Sequence, residues 1–171
     1  MKQPRRALPA AQLAKAGVIA ALYTALTVLV YPLSFGGMQV RVAEILTVLP
    51  VYMPSAVPGL TVGCFLSNLI GLSMGANPVG AWDLLFGTAA TGLAAWATFA
   101  VRRIRFRGLP LIATLPPVVF NALIVGTELY GVYGGLPWWA HVLWVALGQF
   151  LACTVGGSVL AAALNRYGKP I

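Results

Sequence analysis

Seven polar side chains stand out because the residues around them are almost all apolar: Gln39, Arg41, Glu44, Asn68, Asp83, Asn121 and Glu128. A charged group at membrane depth costs roughly 2.5–3.5 kcal/mol on insertion scales, so such groups usually face a cavity and mark function. Glu44 follows Arg41 by three residues, so on a helix the two share a face and can pair, with Gln39 just before them. Asn121, Val125 and Glu128 stand at i, i+4 and i+7, which sets an amide and a carboxylate on one helical stripe expected to face the interior. Asp83 opens a helix, where capping of free amide groups explains a carboxylate as well as ligand contact does. Asn68 serves equally for a ligand or for a hydrogen bond between helices. Carboxylates and amides collected at one site suit a planar heterocycle with several N–H donors, because a carboxylate accepts two parallel hydrogen bonds from such an edge. Anionic ligands are disfavoured. Trp82, Tyr130, Tyr133, Trp138 and Trp139 cluster at the same helix ends, either as an aromatic belt at headgroup level or as stacking surfaces, Trp138 being a binding candidate.

The elements that must position these groups are transmembrane helices. The 171 residues are 60% hydrophobic and 8% charged, against about 25% charged in soluble domains. No linker divides the chain, so residues 1–171 read as one membrane domain, an all-α integral membrane protein. A span needs roughly 20 apolar residues, and the segments 10–31, 82–101, 109–130 and 138–164 meet that length. The stretch 40–72 is too long for one straight helix and holds Pro50, Pro54 and Pro58, each of which removes a donor. It divides into a short helix over 40–52 and another over 56–72, joined by a tight turn at 53–55. Six helices are therefore expected.

Charge gives the orientation. Of eleven basic residues, ten fall in three clusters: Lys2, Arg5, Arg6 and Lys15; Arg102, Arg103, Arg105 and Arg107; Arg166 and Lys169. Basic residues concentrate in cytoplasmic loops, and six spans place all three clusters, with both termini, on that side. Only Arg41 lies elsewhere, and the four ionisable groups Arg41, Glu44, Asp83 and Glu128 map to the opposite half. The net charge of +8 does not point to nucleic acid, because the cations sit in short clusters and not over a docking face. The first segment shares a basic start and an apolar run with secretory signals, but at 22 residues it is long for one.

On helix one, Gly17, Ala21 and Ala25 form a small-residue stripe bordered by Ala16 and Ala20, of the kind that permits close helix approach, to a partner or within the bundle. Cys64 and Cys153 lie in apolar runs and read as small buried hydrophobes. A lone His141 and three scattered carboxylates offer no metal pattern, and no cofactor is implied. No phosphate-binding loop occurs, so any ATP hydrolysis belongs to another subunit. A non-transport assembly subunit and an intramembrane hydrolase using Glu44 or Glu128 as a base are the rival readings.

Four strings carry a family resemblance: QVRVAEILTVLP at 39–50, PGLTVGCFLSNL at 58–69, DLLFGTAATGLAA at 83–95 and LPPVVFNALIVGTEL at 115–129. Together they resemble the QueT family, substrate-binding S components of energy-coupling factor (ECF) transporters for queuosine precursors, the 7-deazaguanines preQ0 and preQ1. The resemblance covers roughly residues 15–165 and implies a six-helix S component in a prokaryotic plasma membrane with both termini cytoplasmic. It implies as partners a transmembrane T component docking on helix one and two cytoplasmic ATPases, with no enzymatic activity in this chain. For a deazaguanine, Glu44 or Glu128 would accept from the N1–H and 2-amino edge, and Asn68, Asn121 or Gln39 would contact the carbonyl. Arg41 would orient Glu44 or a loop. An S component for another vitamin or nucleobase is the alternative within transport.

Overall fold

Apolar runs interrupted by proline and glycine wind into helices along the whole described chain, which in the computed structural model comprises residues 9–36 and 39–167. Lys2, Arg5, Arg6, Gly168 and Lys169 lie outside these residues. Seven α-helices are formed: α1 (Ala10–Leu29), α2 (Tyr31–Ser34), α3 (Ala56–Ser73), α4 (Trp82–Ala100), α5 (Leu115–Tyr133), α6 (Trp138–Gln149) and α7 (Gly157–Tyr167). No strand occurs among the described residues. Four helical stretches are long and apolar enough to cross a membrane: Ala10–Leu29, Ala56–Ser73, Ile112–Tyr133 and Trp138–Arg166. Helix α4 has 19 residues but is less apolar because of Asp83 and its threonines and glycines.

The expected second helix over 40–52 is instead a 3-10 helix, Val42–Val51, with Pro50 inside it. An α-helix there would set the proline ring against the carbonyl four residues back, whereas i→i+3 winding aims that carbonyl at an earlier residue. The tighter helix also rises about 2.0 Å per residue, so 10 residues extend about 20 Å where an α-helix would extend about 15 Å. The first segment, expected over 10–31, stops at Leu29, and Pro32 starts the separate turn of α2. The fifth, expected over 109–130, begins at Leu115 after a 3-10 turn at Ile112–Thr114 and continues to Tyr133. The sixth is three joined pieces, in which a π-helix at Phe150–Gly156 separates α6 from α7.

Helices α1, α3, α4, α5 and α6 pack in that order, each on the next, while the 3-10 helix touches α1, α3, α4, α7 and the π-helix and so runs through the middle. The contact of α1 with α3 depends on missing side chains. A Cβ at Gly63 would meet Tyr23 Cβ at 2.8 Å and the Ala20 carbonyl at 3.0 Å, and one at Gly59 would meet the Ala16 carbonyl at 2.8 Å. Ala16 and Ala20 are thus buried inside the chain's own bundle, while Gly17, Ala21 and Ala25 stand exposed on the other side of α1.

Candidate functional site

The 3-10 helix and its approach carry Gln39, Arg41 and Glu44 into the bundle, α3 supplies Cys64 and Asn68, and α4 supplies Asp83 and Thr91; all seven are buried. The expected pairing of Arg41 with Glu44 is not formed. Arg41 Nη2 instead bonds Asp83 Oδ2 at 2.5 Å, because the chain enters the 3-10 helix in extended conformation at Arg41 and the two residues do not share a helical face. Arg41 Nε donates to Gln39 Oε1 at 2.9 Å, and its guanidinium lies 5.6 Å from the Phe35 ring centre. Asp83 does not cap α4 with its side chain. It accepts from Asn77 Nδ2 at 2.8 Å through the same oxygen that takes Arg41, and its carbonyl accepts from Asn68 Nδ2 at 2.7 Å. The carboxylate fits because residue 87 is glycine: a Cβ there would stand 1.8 Å from Asp83 Oδ1.

Glu44 is held from a different direction. Tyr23 of α1 donates its hydroxyl to Glu44 Oε1, and Thr91 Oγ1 approaches the same oxygen at 3.3 Å. Asn121 also turns inward, and its Nδ2 donates to Gln149 Oε1 at 3.2 Å; Gln149 Nε2 reaches back to the Gln39 carbonyl at 3.4 Å. One connected interior thus joins Gln39, Arg41, Asn68 and Asp83, with Glu44 beside them and Asn121 linked through Gln149.

Glu128 and Trp138 are not part of that interior. Glu128 lines a cleft of about 370 Å³ between α4 and α5 with Trp82, Phe86, Ile124, Thr127, Gly131 and Val132. The Trp82 and Phe86 rings stack there at 5.9 Å. Trp138 is exposed and donates from Nε1 to Thr127 Oγ1 at 2.9 Å. Trp82 and Asp83 are consecutive, so the first turn of α4 separates this cleft from the buried cluster. His141 approaches the Gly134 carbonyl at 3.2 Å and so sits against the α5–α6 turn.

Sequence reasoning did not single out Tyr23, Asn77, Thr91 or Gln149. For Tyr23 a signal existed: it follows Ala16 and Ala20 along the face that packs on α3, and a buried tyrosine hydroxyl needs a partner. Cys64 and Cys153 are free and buried, as expected of small core residues, yet Cys64 Sγ also meets Arg41 Nη1 at 3.6 Å and Thr91 Oγ1 at 3.3 Å. Among the described residues no group of three or more His, Cys, Asp or Glu is placed to hold a metal ion.

Hydrogen-bond accounting sets the chemistry of the site. Among the described residues three buried acceptor oxygens of the interior have no partner, Glu44 Oε2, Asn68 Oδ1 and Asp83 Oδ1, and in the neighbouring cleft neither carboxylate oxygen of Glu128 has one. On the donor side the Gln39 Nε2 amide is unpaired, and the Ser34 and Thr88 hydroxyls, which can donate or accept, are unpaired as well. The two amides are oriented by their neighbours, since Gln39 Oε1 must accept from a guanidinium and Asn68 Nδ2 must donate to a carbonyl. Buried polar groups are nearly always paired, so this surplus of acceptors is suited to a guest rich in N–H donors.

Four helical stretches long and apolar enough to cross a membrane surround a polar interior, with an aromatic-walled cleft at one end of α4. Residues 13–166 match the QueT transporter family, nearly the whole chain, and the protein belongs to that family. No curated protein and no solved structure matches it.

Proposed function

We propose that the chain is the substrate-binding S component of an ECF-type importer, capturing a queuosine precursor of the preQ0/preQ1 class from outside the cell. The observation that carries this reading is the set of unpaired acceptor-only oxygens at Glu44, Asn68, Asp83 and Glu128, against one unpaired amide donor at Gln39 and hydroxyls at Ser34 and Thr88 that can act either way. A 7-deazaguanine presents N1–H and 2-amino donors on one edge and a carbonyl beside them, which meets carboxylate oxygens and the Gln39 amide in turn. The cleft of about 370 Å³ falls within the roughly 300–1,000 Å³ usual for small-molecule sites. Its walls, Trp82 and Phe86, offer flat surfaces to a bicyclic ring. On this reading the ligand enters at Glu128, and the first turn of α4 must move aside for it to reach the enclosed Asp83 and Glu44. A subunit whose polar groups only joined helices would gain nothing from carboxylates left unpaired.

The wider assembly follows from the same reading. Six spans, with the 3-10 helix as the shortest, put both termini and the 102–107 loop on the cytoplasmic side of a prokaryotic plasma membrane. The exposed Gly17, Ala21 and Ala25 form the surface on which a T component docks, and two ATPase subunits supply the hydrolysis for which this sequence has no phosphate loop. The test is a titration of the purified chain with preQ0, preQ1, guanine and riboflavin, followed by tryptophan fluorescence at Trp82 and Trp138. Saturable binding of a deazaguanine is expected; binding of riboflavin alone, or of none of the four, refutes the assigned substrate.

A further inference from the structure

The 102–107 segment forms a fastened structure past the end of α4. Phe106 and Leu109 exchange backbone hydrogen bonds of 2.8 and 3.0 Å, which leaves Arg107 (φ 49°) and Gly108 (φ 80°) as the centre of a two-residue turn with both residues left-handed. Asn165 of α7 donates to the Gly108 carbonyl at 3.1 Å and accepts from the Tyr52 hydroxyl at 3.0 Å. Arg105 lies 5.4 Å from the Tyr52 ring centre, and Arg102 lies 3.9 Å from that of Phe99 while donating to the Phe99 carbonyl at 2.9 Å. These contacts hold Arg102 and Arg105, which with Arg103 and Val51 line a recess of about 390 Å³.

Among the described residues no acidic side chain answers these cations. The sequence has three acidic side chains: Asp83 is paired with Arg41, Glu44 is bonded to Tyr23, and Glu128 lies in the α4–α5 cleft. Between the arginines in sequence, Ile104 and Phe106 are 47% and 57% exposed, so apolar side chains alternate with guanidinium groups along this exposed segment. A free anion would use the charges only; an amphiphile would use both.

We propose that this recess binds the phosphate headgroup of an anionic phospholipid, with Arg103 and Arg105 on the phosphate, Arg102 behind them, and Ile104 and Phe106 against the acyl chains. Guanidinium groups recognise phosphate oxygens bidentately, and juxtamembrane basic residues attract anionic lipid. The test uses the full chain in a neutral detergent, titrated with dioleoyl phosphatidylglycerol, dioleoyl phosphatidylcholine or inorganic phosphate, with retained lipid counted by native mass spectrometry and thermal unfolding followed in parallel. Phosphatidylglycerol is expected to bind and raise the unfolding temperature where the other two do not. Arg103→Gln/Arg105→Gln should weaken that binding about thirtyfold, at about fivefold per charge, while Arg103→Lys/Arg105→Lys retains most of it. If the glutamine pair fails to fold, Arg103→Gln alone should weaken binding about fivefold. Equal binding of the two lipids, or unchanged phosphatidylglycerol binding by the glutamine variants, overturns the site and leaves an acidic protein surface as its occupant. Stabilisation by inorganic phosphate to the same extent overturns the lipid assignment.

Discussion

The two ends of α4 are about 28 Å apart for its 19 residues, and they handle charge in opposite ways. At the Trp82 end an arginine and two carboxylates, Glu44 and Asp83, are fully enclosed, and part of their bonding capacity is answered from within the chain. Past the Ala100 end the arginines are held by aromatic rings and backbone, and Arg103 and Arg105 are exposed with no carboxylate beside them. Enclosed charge must be balanced by the fold or by a guest, so its geometry is tightly fixed and a change there is felt through the whole bundle. Exposed charge is balanced by whatever lies outside, so changing it affects association and leaves the fold alone.

That contrast orders the expected effects of substitution. Arg41→Met leaves Asp83 buried without its ion partner and should cost about 3–5 kcal/mol in detergent thermal unfolding; adding Asp83→Leu should restore part of it. Tyr23→Phe removes the hydroxyl donor to Glu44 and should cost about 1.5–3 kcal/mol by the same measurement, the range for hydrogen bonds to charged groups. Gly87→Ala forces a methyl group against Asp83 Oδ1 and should cost about 1–3 kcal/mol, with loss of ligand binding because the carboxylate must turn. Arg103→Gln should stay within about 0.5 kcal/mol of the parent. If it destabilised the chain as much as Tyr23→Phe, the contrast between the two ends would fail.

Much of this organisation is legible in the sequence, because the bilayer imposes strong rules. Apolar runs located the helices, Pro50, Pro54 and Pro58 divided the 40–72 stretch, and the scarcity of charge made Arg41, Glu44, Asp83 and Glu128 conspicuous. The pairing among them was not legible. Spacing of three residues suggested Arg41 with Glu44, but that rule presumes an α-helix, and the chain at Arg41 is extended. The partner that won, Asp83, is 42 residues away, a separation closed by the packing of α4 on the 3-10 helix that follows Arg41. Thr91 and Gln149 were silent for another reason: a single amide or hydroxyl in an apolar helix is common, and which ones converge depends on helix rotation; Asn77 lies in the α3–α4 loop, where asparagine is an ordinary turn residue. The π-helix at Phe150–Gly156 has no proline to announce it.

The most direct test of the account is a preQ1 titration of five proteins: the parent, Glu44→Gln, Asp83→Asn, Glu128→Gln and Arg103→Gln/Arg105→Gln. Replacing one carboxylate oxygen with an amide N–H sets donor against donor at the ligand's guanidine-like edge, so Glu44→Gln should bind at least about tenfold more weakly, while the arginine variant binds as the parent does. Parent-like binding by Glu44→Gln, together with parent-like binding by Asp83→Asn and Glu128→Gln, would contradict the claim that the enclosed acceptors receive the substrate.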